Sequence, residues 1–234
     1  MKKLRYLLVA LLLGLVVLPA SAQLGEERHN LAIGVTGGLN MSKVDFSPKI
    51  KQNSLNAMSA GISVRYMCEK YFKMMCGVLM ELNYSQRGWS ELIEDGSGNT
   101  YSRTMNYVEL PFMAHLAFGK DNLKKGVKFF VNAGPQIAFF LSDNEKKGGG
   151  EWDTSHRPNG VTEQYGKSIE NKFDYGIVAG AGLELSTGIG HFLLDGRYYL
   201  GLGDFYKSTK KDFFGRSANS YIGIRLTYLF DIKK

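Results

Sequence analysis

Eight ionisable residues fall at alternating positions within otherwise apolar stretches: Arg65, Lys128, Arg197 and Arg225, with Glu81, Glu109, Glu184 and Asp195. Each shares its phase with glycine, serine or asparagine, so four cations and four carboxylates are directed to one side of the elements that carry them. Unpaired buried charge is costly, and equal numbers make mutual neutralisation feasible. That is the chemistry of a charge-filled interior, not of a reaction centre. Among the histidines, His115 shares this phase and could be drawn with Glu109 or Glu81 as an acid-base pair, but interior packing accounts for it more simply. His29 and His191 fall near strand ends and His156 in the longest linker. A lipid-modifying enzyme would need a Ser or His with an acid near the outer leaflet, and no such grouping is visible, so no catalytic residue is assigned.

Other candidate chemistries fare similarly. Glu151, Asp153, His156 and Glu163 have cation-ligating side chains, but they share a polar linker with Gly148-Gly149-Gly150, which favours a mobile loop, and no metal site is expected. Gly180-Ala181-Gly182 and Gly201-Leu202-Gly203 begin a nucleotide fingerprint that Leu185 and Tyr206 then break, so no cofactor is implied. Cys68 and Cys76 flank a short polar turn. A turn centred near Tyr71 to Lys73 would set them opposite each other, whereas a one-residue change of register would separate them. A disulfide between Cys68 and Cys76 is therefore left open, and their spacing does not suggest zinc.

The elements that carry these residues alternate with period two. From Ser220 to Phe230 one phase holds Ile222, Ile224, Leu226, Tyr228 and Phe230, and the other Tyr221, Gly223, Arg225, Thr227 and Leu229. The pattern recurs over Leu31–Ser42, Met58–Met67, Met75–Arg87, Tyr101–Phe118, Val127–Leu141, Phe173–Leu185 and His191–Asp204, giving eight strands. Linkers near 68–74, 119–126 and 186–190 are short, and those near 43–57, 88–100, 142–172 and 205–217 are long. Short and long connections thus alternate, which puts both termini at the short-turn end, as in outer-membrane barrels.

The N-terminus agrees with that destination. Lys2, Lys3 and Arg5 precede an apolar run from Leu7 to Leu18 and then Ala20-Ser21-Ala22, the pattern of a cleavable secretory leader. Residues 1–22 are read as this signal peptide and 23–234 as one barrel domain. Without the leader, 29 − 3 = 26 basic residues face 22 acidic ones, a net charge of about +4 that gives nucleic-acid binding no support. The rest of the chain holds no apolar run long enough for a membrane helix, so any crossing is made by strands.

Alternation also fits a soluble barrel with its oily phase inside, and glycine decides between the two. The polar phase holds Gly34, Gly38, Gly61, Gly77, Gly134, Gly176, Gly180, Gly182, Gly201, Gly203 and Gly223, while the oily phase holds few. The lumen of an eight-stranded barrel is only wide enough to be filled by side chains, so small residues belong inward. Tyr66, Phe118, Phe129, Phe192, Tyr228 and Phe230 fall on the oily phase at the short-turn ends, where an interfacial girdle belongs. The expected fold is an all-β, eight-stranded antiparallel up-and-down transmembrane barrel with short periplasmic turns and longer extracellular loops.

Glu81-Leu82-Asn83-Tyr84-Ser85-Gln86-Arg87-Gly88, Tyr107-Val108-Glu109-Leu110-Pro111, Asn132-Ala133-Gly134-Pro135 and the closing Tyr221–Phe230 segment resemble the PorT-like family of small outer-membrane β-barrel proteins. The resemblance spans essentially the whole chain after the leader. It implies outer-membrane residence and an eight-stranded barrel, and the family's namesake is an accessory of type IX protein secretion. The Asp231–Lys234 segment after Phe230 departs from barrels that end on an aromatic residue and is read as a short periplasmic tail. The function expected is that of a non-enzymatic, porin-like barrel, monomeric and surrounded by outer-membrane lipid. Its loops, above all Ser142–Lys172 with Trp152 and Tyr165, would bind a surface partner or support the envelope. Secretion proteins are the alternative partners. A general diffusion pore is disfavoured, because eight strands leave side chains touching across the axis and Phe130 and Phe140 point inward.

Overall fold

The computed structural model describes residues 25–119, 125–155, 157 and 160–233, so the leader assigned to residues 1–22 lies outside the described residues. Nine strands form one antiparallel sheet: β1 (Glu26–Ser47), β2 (Gln52–Asn53), β3 (Leu55–Tyr71), β4 (Met74–Glu91), β5 (Thr100–Gly119), β6 (Gly126–Gly148), β7 (Phe173–Ser186), β8 (His191–Gly201) and β9 (Arg216–Lys233). Strand β2 is a two-residue addition paired to the end of β4. The other eight pair with their neighbours in the chain, and β9 returns to β1, closing the ring.

Side-chain phase explains the closure. On β1 the outward residues are Leu31, Ile33, Val35, Gly37, Leu39 and Met41, while Ala32, Gly34, Thr36 and Asn40 point inward. Matching outward runs extend from Met74 to Tyr84, from Val108 to Phe118 and from Ile222 to Ile232. Each covers ten residue steps, about 34 Å of strand and about 25 Å of height at an ordinary barrel tilt. That height matches a hydrocarbon core. At its lower rim Phe118 stacks near Phe129 at 6.4 Å and Phe192 lies 4.9 Å from Tyr228, as expected for the girdle.

Above this belt the phase inverts. On β1 the outward residues become Lys43, Asp45 and Ser47, and the inward ones become Val44 and Phe46, both buried. On β5 Ser102, Thr104 and Asn106 face out while Tyr101, Met105 and Tyr107 face in. The wall continues beyond the lipid as a strand structure suited to water outside and grease inside. The expected loops at 43–57, 88–100 and 142–172 therefore begin too early: β1 runs to Ser47, β4 to Glu91 and β6 to Gly148. An alternation traced through its oily phase alone ends where the phases exchange. In β6 a bulge at Leu141 adds a second interruption, since Tyr107 faces Phe140 while Asn106 faces Ser142. The terminal tail is corrected too, because Asp231 to Lys233 belong to β9.

The lumen is packed in tiers. Ala32, Met67, Met75, Ala117, Phe130, Leu193 and Leu229 form the lowest apolar cluster. A Cβ on Gly182 would come within 2.7 Å of both Phe130 Cζ and Asp195 Cβ, so glycine there makes the room that Phe130 occupies. Leu79, Met113, Val178, Tyr199 and Tyr221 form a middle cluster, and a larger aromatic one fills the mouth.

Candidate functional site

All eight charged residues read from the sequence point into the lumen and are at most 4% exposed. They form separate networks. Near the short turns Glu184 accepts from Arg65 at 2.8 Å and meets Lys128 at 2.9 Å and His191 at 2.7 Å. Higher up, Arg197 holds both Glu81 oxygens at 2.9 and 3.1 Å and Asp195 at 2.8 Å. Arg225 differs from the expectation: its three guanidinium nitrogens have no hydrogen-bond partner among the described residues. It stands across the register from Asp195 and packs its charge 6.0 Å from the Tyr221 ring. Asp195 is already engaged by Arg197, which turns it away from Arg225.

Glu109 takes a partner absent from the sequence-derived set. Arg87 donates to Glu109 at 2.7 Å and to Asp174 at 2.6 Å, with its guanidinium 4.9, 4.3 and 5.3 Å from the rings of Tyr107, Tyr199 and Tyr221. Adding Arg87 and Asp174 to the sequence-derived set gives five cations against five carboxylates, 4 + 1 on each side. Both residues were on the polar phase, and their place at its upper margin was the available signal. Tyr-Ser-Gln-Arg-Gly and Tyr-Val-Glu-Leu-Pro lie side by side on β4 and β5, with Ser85 facing Tyr107, and they supply both ends of the Arg87–Glu109 pair.

The suggested His115 pairing with Glu109 or Glu81 does not form: His115 Nδ1 lies 2.7 Å from Asn132 Oδ1, and its ring packs 5.1 Å from Phe130. An arrangement closer to catalytic geometry sits at the short-turn end. Ser186 Oγ lies 2.9 Å from His191 Nδ1, and His191 Nε2 lies 3.1 Å from Asp231 Oδ1. The Ser186 hydroxyl donates to Glu184 at 3.1 Å, so its proton is directed at a carboxylate and not at the imidazole. At 3% and 2% exposure, Ser186 and His191 present no face to a substrate. This group caps the lumen.

The mouth is filled. Phe46, Trp89, Tyr101, Met105 and Tyr107 from the strands meet Val161 and Ile169 from the longest loop and Phe205, Tyr206 and Phe214 from the last. Phe46 packs edge-on against Trp89 at 5.0 Å, and Phe205 stacks on Trp89 at 6.0 Å. The longest loop was expected to be mobile, but several of its described residues are anchored. Trp152 and Tyr165 lean on this cluster, 5.1 Å apart. Arg157 reaches Asp95 at 2.5 Å and Asn99 at 2.9 Å while lying 4.7 Å from the Trp152 ring. The Ser97 hydroxyl and backbone, together with Arg157, hold the Asp95 carboxyl down at about 2. Arg103 ties Asp143, Glu145 and the Tyr206 hydroxyl together beneath the loop. Apolar content at Val161, Tyr165 and Ile169 was the sequence signal for docking, and Gly148-Gly149-Gly150 masked it.

Asp153 accepts hydrogen bonds from Ser155, and Asn99 donates to the Glu151 carbonyl. Of the remaining two of the four cation-ligating side chains, Glu163 is exposed and His156 lies outside the described residues, and among those described no three acidic, histidine or cysteine side chains gather as a metal site. Cys68 and Cys76 are free thiols: Cys68 is the extra residue of a bulge, and Glu69 is the residue paired with Cys76.

A family comparison agrees with the architecture. A family model described as "Outer membrane protein beta-barrel domain" matches residues 21–207. The outer membrane protein OprG from Pseudomonas aeruginosa is similar at 9% identity and a TM-score of 0.48, covering 88% of this chain and 96% of that one. Ail, the attachment invasion locus protein of Yersinia pestis, is similar at 15% identity and a TM-score of 0.37, covering 88% and 99%. Neisserial surface protein A is similar at 10% identity and a TM-score of 0.39, covering 85% and 96%. Comparison with curated protein sequences found no match.

Proposed function

Since this chain belongs to the outer membrane protein β-barrel domain family, we propose that it is a closed, non-enzymatic barrel whose plugged mouth serves as a fixed docking platform for a surface partner. The observation that carries this reading is the mouth itself: the two longest loops fold into one aromatic cluster and Arg157 latches the longer of them to Asp95 and Asn99 of the β4–β5 loop, so these three form one surface and not independent arms. The same plug, with paired ions below it, opposes solute flow. Lys146, Lys147, Lys207, Lys210 and Lys211 are exposed at the outer end, and half-exposed Phe213 follows the last three in the same loop, which suits an anionic partner with an apolar anchor.

Crosslinking in intact cells tests this. A photoreactive residue at Lys210 or Phe213 should trap one discrete partner, and one at Lys73 should not. A second reading rests on the other end, where Phe72 and Ile189 tip two turns at 82% and 73% exposure. Those residues suit a periplasmic protein contact, and the sequence resemblance to PorT-like barrels would fit a secretion accessory. Partner trapping confined to Lys73, with loss of secreted proteins on deletion of the chain, would reject the platform in favour of that role.

A further inference from the structure

Two prolines interrupt the wall inside the hydrocarbon belt. Between β4 and β5 the register runs through Met80–Phe112 and Asn83–Glu109 but skips the two positions between, where Pro111 faces Glu81. Between β5 and β6 it runs through Pro111–Gln136 and Ala114–Ala133 and again skips two, where Pro135 faces Phe112. Proline has no N–H to give, so the Glu81 and Phe112 carbonyls each lose a ladder donor. In lipid no water replaces it. An apolar groove of about 260 Å³ opens at the same place, lined by Ile62, Val64, Met80, Leu82, Leu110 and Phe112, and the Glu81 backbone reaches it. Leu110 and Phe112 lie one and two outward positions below Val108, about 5–10 Å beneath the long-loop edge of the belt. At that depth the first few carbons of a lipid acyl chain pass.

We propose that this groove seats an acyl chain bearing a hydroxyl or amide N–H near its head, which donates to the Glu81 carbonyl freed by Pro111. The aliphatic walls take the hydrocarbon, and the donor supplies what the ladder lacks. An unsubstituted chain fills the same volume but leaves the carbonyl bare.

The test compares two photoreactive fatty acids, one with a 3-hydroxyl and one without, added to the full chain in phosphatidylcholine nanodiscs, with adducts mapped by mass spectrometry. The hydroxylated probe should label the 62–64, 80–82 and 110–112 segments about 5-fold more than the plain probe, the ratio that one net hydrogen bond of ordinary strength supplies. Pro111→Ala restores an N–H to the ladder and should abolish the preference while total labelling of the belt stays unchanged. Should that variant fail to form a heat-modifiable barrel, Leu82→Trp, which fills the groove from a lipid-facing position, should lower labelling at these segments by both probes. Equal labelling by the two probes, adducts spread evenly around the belt, a preference that survives Pro111→Ala, or labelling at these segments that Leu82→Trp leaves unchanged would overturn the assignment.

Discussion

Arg87→Met removes the charge that holds the upper lumen together. Its methylene stem would still fill much of the space between Tyr107, Tyr199 and Tyr221, but Glu109 and Asp174 would lose their shared cation. Breaking a buried pair by deleting one partner costs about 3–5 kcal/mol, chiefly for the charge left behind. Here two carboxylates are stranded, and the ring contacts add about 1 kcal/mol or more, so the loss should exceed about 4 kcal/mol. Glu109→Gln alone leaves Arg87 bound to Asp174 and should cost only about 1–3 kcal/mol. The double variant should be milder than the sum of the two by at least about 1 kcal/mol, because the residues touch. Urea unfolding of the barrel in micelles, followed by tryptophan fluorescence, gives each term. For Arg87→Met the midpoint should fall by about 1–2 M. An unchanged midpoint, or strictly additive losses, would refute the view that lumen ion pairing is a coupled support of the barrel.

Three further outcomes follow from the mouth and the lower rim. The Asp95 carboxyl, depressed to about 2 by Ser97 and Arg157, favours loop docking at pH values above its unfolded value near 4, and that contribution is lost as pH falls through about 2. Burial raises the pKa of the Glu91 carboxyl that accepts from Tyr165, so Glu91→Gln is the background for the test. In it Trp152 emission should stay constant from pH 7 to about pH 4 and shift only below it, and a shift near pH 6 in that background would count against this latch. Trp89→Ala empties the centre of the plug and should destabilise the barrel by about 3–5 kcal/mol in the same urea assay, without preventing membrane insertion. Both Cys68 and Cys76 should alkylate in unfolded protein that has never met a reductant, and protection of the pair would reveal a bridge and a register other than Glu69 opposite Cys76.

What the sequence disclosed was whatever depends on period two within one solvent. Strand number, inward glycine and the burial of Arg65, Glu81, Glu109, Lys128, Glu184, Asp195, Arg197 and Arg225 all follow from alternation and lumen width. Pairing was less legible, since it depends on which charges share a height. Arg225 faces Asp195 across the ladder yet loses it to Arg197 two residues along the same strand as Asp195. The plug was hidden for a different reason: Val44, Phe46, Trp89 and Tyr101 carry the apolar phase after it has changed sides, so a reading anchored on lipid-facing residues treats them as loop. Register at Cys68 turned on a single bulge residue, which no periodic pattern announces.

The stretch of β5 from Thr100 to Asn106, upright above the belt, adds about 15 Å of height at an ordinary barrel tilt. It works as a pedestal. The loop surface is raised past a bilayer headgroup region of about 5–8 Å, so a bulky protein approaching from outside meets the loop crown before its flanks meet the membrane. Shortening the pedestal by a matched pair of residues on each strand would leave crown and bilayer anchor intact while lowering one into the shadow of the other.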